Sequence, residues 1–198
     1  MKRRRKGIYC LEVGEWFDNM KARTSVEPVL QLLRDSPSRV PYIHRDIATE
    51  TELRFYLLKW LQGKHRDYPI LYLGFHGSPG RIHLRKENGR TTEMDTDDLF
   101  AMLTGRCHRR LIHFGSCSVL DLHGHTVNRY LRDSGAIAIS GFKHDVDWLE
   151  SSIFELLYLG ELQENEFTRS GVAAVNRRIR TKAAGFCQRL GFSVKIKR

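Results

Sequence analysis

Long apolar runs are missing from this sequence. Nothing in its 198 residues approaches the roughly 20 consecutive apolar positions of a membrane-spanning helix, so no membrane partner is expected. A cleavable leader is not expected either. The basic start, Met1-Lys2-Arg3-Arg4-Arg5-Lys6, is followed only by a short apolar stretch from Gly7 to Val13, without a small-residue cleavage site. Cysteine is scarce. Cys10, Cys107, Cys117 and Cys187 are widely spaced and fall mostly in apolar segments, which excludes a disulfide framework and points to a reducing, cytoplasmic compartment. Glycine-rich phosphate loops are absent: neither Gly-x-Gly-x-x-Gly nor a P-loop occurs, and no nucleotide cofactor is expected.

Negative charge is the other shortage. Asp and Glu number 23 against 33 Lys and Arg, for a formal net charge of +10. Such a balance permits nonspecific contact with nucleic acid. Much of the excess, however, lies at the two ends, and no basic groove interleaved with aromatics is visible, so nucleic-acid binding is not the expected role. Metal spacing is lacking as well. Cys107, His108, His113, Cys117, His123 and His125 are near one another in sequence, but they form no Cys-x-x-Cys or His-x-x-x-His pair, and no metal is expected. Without repeats, low-complexity tracts or linkers, the chain reads as a basic disordered tail at 1–6 and a single domain at 7–198.

What is present is alternation. Apolar strand segments at 7–13, 40–47, 69–75, 110–115 and 136–140 are separated by helical patterns. Thr49-Glu50-Thr51-Glu52 has capping-box form ahead of Leu53, Leu57, Trp60 and Leu61. Ile82–Leu84 and Thr91–Met94 flank an Asn88-Gly89 turn, which predicts a small β-hairpin. Leu149, Ile153, Leu156 and Leu157 define one late helix, and Val172, Val175, Ile179 and Phe186 define another. The alternating Phe192, Val194 and Ile196, with lysines between them, suit an edge strand. The prediction is an α/β fold: a doubly wound, mostly parallel sheet with helices on both faces and a hairpin beside its edge.

Two strand ends carry the chemistry. Leu71-Tyr72-Leu73-Gly74-Phe75 runs into His76-Gly77, and Leu111-Ile112-His113-Phe114 runs into Gly115-Ser116-Cys117-Ser118. In a parallel sheet both would finish at the carboxyl edge, where sites form. A thiol is a weak nucleophile until a neighbouring base takes its proton, which is the role His76 could fill for Cys117. Gly77 would let a backbone N–H approach a substrate, and the Cys117 N–H is the natural second donor for an oxyanion.

These two ends, His-Gly after one apolar strand and Gly-Ser-Cys-Ser about forty residues later, resemble the caspase-like cysteine peptidases: caspases, metacaspases, legumains, gingipains and CHAT-domain proteases. The caspase Gln-Ala-Cys signature itself is absent. The resemblance spans roughly residues 7 to 142. It implies a caspase-like fold and peptide-bond hydrolysis with Cys117 as nucleophile and His76 as base and acid, with an oxyanion hole of Gly77 and Cys117 amides. Family members that cut after Arg or Lys use an acidic pocket, which makes Asp145 and Asp147 the specificity candidates. Asp147 reads first as a cap for the helix starting at Trp148. No long linker follows Cys117, so cleavage into two subunits is not expected, and a regulatory protein partner, an ion or a protein supplied in trans is the expected switch. The alternative is an inactive caspase-like or doubly wound scaffold with a basic surface.

Overall fold

A computed structural model describes residues 5–13, 16–17, 21, 24–86 and 88–197. Six strands form one sheet, in the order β2-β1-β3-β7-β8-β9. They are β1 (Ile8–Val13), β2 (Tyr42–Ile47), β3 (Ile70–Gly74), β7 (Leu111–Phe114), β8 (Ala138–Phe142) and β9 (Phe192–Ile196). The first five are parallel, and β9 pairs antiparallel with β8 at the edge. A smaller antiparallel sheet, β4-β5-β6, consists of Gly77–Ser78, Arg81–Arg85 and Thr91–Asp95. The expected hairpin is therefore two strands of a three-stranded sheet, and its third strand grows directly from the residue after His76.

The central strands are apolar on both sides because helices cover both. On one face Leu11, Leu73, Ile112 and Phe114 meet helices α2 (Glu50–Trp60), α3 (Thr96–Leu103) and α4 (Gly124–Ser134) through Leu57, Trp60, Phe100 and Leu131. On the other, Ile8, Cys10, Tyr72 and Phe142 meet α1 (Glu27–Asp35), α5 (Trp148–Glu161) and α6 (Arg169–Lys182) through Leu30, Phe154, Tyr158 and Val175. Alternate residues of each strand thus serve two separate cores. The capping box at Thr49 forms as its spacing predicts, with Thr49 Oγ1 accepting from the Glu52 N–H and Glu52 reaching back to the Thr49 N–H.

Some expectations need correction. The strand expected at 136–140 lies at Ala138–Phe142. Phe186 does not continue the helix of Val172 and Ile179: the chain breaks at Ala183, and a short α7 (Ala184–Arg189) follows. Of the four apolar positions expected to define α5, Leu156 packs against the core, but Leu149 is 60%, Ile153 50% and Leu157 38% exposed. Its inward face carries Ser151, Ser152, Phe154, Glu155 and Tyr158 instead. That face meets a polar centre in the sheet, His113, through Glu155. At the other end, Lys6 is no part of a loose tail. It is 8% exposed, and Gln163 binds both its backbone N–H (2.9 Å) and its ammonium (3.0 Å). Residues 1–4 lie outside the described residues. Among the described residues no helix is long and apolar enough to cross a membrane.

Candidate active site

Strand order reverses at β1: β2 lies on one side of it and β3 on the other. In open α/β sheets such a switch point is where sites form, beyond the carboxyl ends of the strands. The β3–β7 ladder ends at Leu73 opposite Phe114. His76 and Cys117 each lie three residues beyond that last pair, and no hydrogen bond joins their side chains: His76 bonds Trp16, and Cys117 lies against Val146. Beyond the regular ladder, Ser116 keeps the two ends together. Its buried hydroxyl accepts from the Phe75 N–H (3.1 Å) and donates to the Leu73 carbonyl (3.2 Å), while the Gly115 N–H donates to that same carbonyl (2.9 Å).

Glycine is required at two positions by close approach. A Cβ on Gly77 would stand 2.3 Å from Val119 Cγ2 and 3.0 Å from the Cys117 carbonyl oxygen. A Cβ on Gly115 would stand 2.3 Å from the Tyr72 hydroxyl and 2.8 Å from Glu155 Oε1. Gly77 also has a useful backbone direction. The His83 N–H donates to the His76 carbonyl (2.8 Å), so by antiparallel alternation the next pair, Gly77 and Ile82, is the non-hydrogen-bonded kind. The Gly77 N–H therefore lies outside the β4–β5 ladder.

The histidine is exposed and its ring is oriented. His76 Nε2 lies 2.7 Å from the Trp16 carbonyl oxygen, and the two rings pack edge to face with centroids 5.2 Å apart. A carbonyl can only accept, so Nε2 carries the proton and Nδ1 of the neutral ring keeps its lone pair. The thiol lies against the loop after β8. The Val146 N–H points at Cys117 Sγ (3.4 Å), and Sγ is 3.7 Å from the Val146 carbonyl oxygen. Burial pushes the Cys117 thiol above its ordinary pKa; the Val146 N–H works against this, and the Asp145 carboxylate adds to the rise. The resting side chain is therefore a thiol at neutral pH, in need of a base. The other cysteines, Cys10, Cys107 and Cys187, are buried, and burial drives Cys107 up to about 12. Cys117 alone of the four is partly accessible.

The two acidic candidates separate. Asp147 caps α5, its Oδ1 accepting from the Glu150 N–H (2.9 Å). Asp145, exposed beside the thiol loop, accepts from Ser118 Oγ (2.6 Å). Ser118 takes this position with φ at 51°, a left-handed conformation uncommon for serine, held also by its N–H on the His144 carbonyl (3.1 Å).

Sequence reasoning missed the polar residues behind the site. His113, fully buried, bonds Ser140 Oγ through Nδ1 (2.9 Å) and Glu155 Oε1 through Nε2 (3.0 Å), and Glu155 Oε2 accepts from the Tyr72 hydroxyl (2.6 Å). This chain of Ser, His and Glu is sealed in the core and fixes β3, β7, β8 and α5 together. A second centre lies at Glu12, His44 and Asp46, whose ligand atoms fall within 4.8 Å of one another. Glu12 nevertheless spends its oxygens on protein donors: the Trp16 indole N–H, the Val26 N–H (2.7 Å), Ser25 Oγ (2.7 Å) and His44 Nε2 (2.6 Å). That is a filled carboxylate rather than a metal cradle. The one signal for it in the sequence is an acid inside an otherwise apolar strand.

The architecture agrees with known folds. The crystal structure of the Drosophila initiator caspase Dronc matches with a TM-score of 0.50 at 8% identity, covering 90% of this chain and 72% of that one. Raptor of Chaetomium thermophilum matches with a TM-score of 0.49 at 10% identity, covering 82% of this chain and 19% of its own. No curated protein matches by sequence. At 8% identity the likeness to Dronc is one of fold: a mostly parallel six-stranded sheet between helices, with a small antiparallel sheet, as in a caspase. The model of one sequence family runs over residues 5–195, nearly the whole chain, and the protein therefore belongs to the family of unknown function DUF6642.

Proposed function

We propose that this protein is a cysteine endopeptidase of the caspase-like type, with Cys117 as nucleophile and His76 as base and acid. The observation that supports it most is the junction of the two strand ends, where the Ser116 hydroxyl bonds the Phe75 N–H and a Cβ on Gly77 would stand 3.0 Å from the Cys117 carbonyl oxygen, while the Trp16 carbonyl holds His76 Nε2 and leaves Nδ1 its lone pair. The raised pKa of the thiol fits a proton transfer that occurs on attack rather than a resting thiolate. In this reading Nδ1 takes the Cys117 proton as sulfur attacks the scissile carbonyl. The oxyanion gathers the Gly77 and Cys117 N–H groups. His76 then returns the proton to the leaving amine, and water, deprotonated by the same Nδ1, releases the acyl group from sulfur.

The substrate is a protein or peptide with a basic residue ahead of the scissile bond, met by Asp145; Asp147 is spent on its helix. Helix α4 (Gly124–Ser134) fills the stretch between Cys117 and β8, which supports a site that works without a cut there. Purified protein should hydrolyse fluorogenic peptides ending in Arg or Lys, with activity lost in Cys117→Ala and in His76→Ala. Preference for Asp would remove the acidic pocket, and hydrolysis that survives Cys117→Ala would remove the nucleophile.

A second reading, an inactive scaffold, is favoured by one observation: both backbone groups of Val146 lie against the thiol. It expects no hydrolysis of any of these peptides, and no thiol of special reactivity.

A further inference from the structure

Glu12 sits where an apolar residue would be expected. It is the penultimate residue of β1, 1% exposed, registered against Gly74 of β3 and flanked by Leu11 and Val13. A carboxylate in such a place is costly unless its oxygens are satisfied. Here four donors arrive from three directions: the Trp16 indole from the loop after β1, Ser25 and Val26 from the entry to α1, and His44 from β2. Each donor fills one of the sites a carboxylate offers, so moving any of them leaves a buried charge short of a partner.

Trp16 is the donor that matters for the site. Its indole edge lies over the end of β3, where Cζ2 is 3.4 Å from an ideal Cβ on Gly74. Its carbonyl oxygen receives His76 Nε2–H, and its ring packs against the imidazole. Trp16 belongs to no helix or strand, so no ladder fixes its carbonyl. The Glu12 bond to its indole does.

We propose that Glu12 is a positioning residue for the candidate site: it fixes Trp16, and Trp16 holds the His76 ring with Nδ1 free to act. The catalytic meaning of this rests on the Cys117–His76 reading; the hold on the histidine does not. The role differs from that of an ordinary buried carboxylate in reaching the imidazole through one residue, by a single hydrogen bond.

Trp16→Phe cuts that bond, since it removes the indole N–H and keeps the ring and the carbonyl. Glu12→Gln is the conservative partner, because its amide oxygen still accepts from the indole. The readouts are the His76 imidazole tautomer by nitrogen-15 NMR with the ring neutral, peptide hydrolysis, and the unfolding midpoint. The wild type and Glu12→Gln should show a single Nε2–H tautomer, and Trp16→Phe, still folded but with a lowered midpoint for the donor lost to a buried carboxylate, a mixture of the two. In Trp16→Phe kcat should fall about tenfold with little change in KM, a fraction of the roughly 100- to 10,000-fold that a positioned base supplies. A single tautomer and an unchanged kcat in Trp16→Phe would overturn the proposal. So would an equal loss in Glu12→Gln, which would put the effect on charge rather than position. If the wild type hydrolyses nothing, the peptidase reading fails, and the tautomers alone decide whether Glu12 and Trp16 hold the ring.

Discussion

Single residues at this site are chosen by what stands next to them. Gly115 is the plainest case: the Tyr72 hydroxyl and Glu155 Oε1 occupy the space that any side chain would need. Gly115→Ala should therefore destabilise the protein by about 1–3 kcal/mol, the usual range for forcing a methyl into a packed interior. Urea unfolding of the variant beside the wild type checks this, and an unchanged midpoint would mean that the polar network yields easily. In the sequence Gly115 is the small residue at which an apolar run ends. The structure adds a reason the sequence could not show, because Tyr72 and Glu155 are far from Gly115 along the chain. His76, Gly77 and Cys117 were legible because each ends or follows an apolar run at a small residue. Glu12, Trp16 and Ser116 were not, because their partners are set by strand order and register rather than by neighbours in sequence.

At the scale of elements, the sheet alternation, the capping box and the hairpin could be read from period and turn residues. The orientation of α5 could not. Three of its four expected apolar positions, Leu149, Ile153 and Leu157, are left exposed, and the face that packs carries Glu155 toward His113. A periodicity argument assumes an apolar core, and here β7 places a histidine in it. The pair ties α5 to the sheet directly beneath the thiol strand. His113→Ala should cost about 3–5 kcal/mol, since it strips Glu155 of a partner in a site where both side chains are almost wholly buried. His113→Ala combined with Glu155→Leu should recover part of that loss, which chemical denaturation of the single and double variants measures. If the double variant is no better than the single, the cost lies in the cavity and not in the stranded carboxylate. The cap at Thr49 works on a smaller scale: Thr49→Ala should lower stability by about 1 kcal/mol without touching the site.

Across the whole molecule, charge is unevenly spent. The net charge of +10 suggests an excess of free cations, yet His44 of β2 is met by three acids. His44 faces Glu12 at 2.6 Å, Glu27 at 3.8 Å and Asp46 at 3.9 Å. Burial alone would lower its pKa, but the Glu12 hydrogen bond and charge, with Glu27 and Asp46 behind it, leave it raised above 6.5. A histidine with a raised folded pKa binds its proton more tightly in the folded state. Its contribution is therefore complete below about pH 6.5 and disappears as pH climbs through the folded value. Stability measured from pH 6 upward should show this fall, and His44→Asn should flatten it. An equal fall in His44→Asn would place the titration elsewhere.

The central claim is that Cys117 is a nucleophile served by His76, and thiol reactivity tests it without the natural substrate. Treated with an arginyl peptide halomethyl ketone, the protein should take up one equivalent. Peptide mapping by mass spectrometry should place it on Cys117, well ahead of the buried Cys10, Cys107 and Cys187, and His76→Ala should label far more slowly. Equal labelling of Cys117 in the wild type and in His76→Ala, or no preference among the four cysteines, would contradict the account.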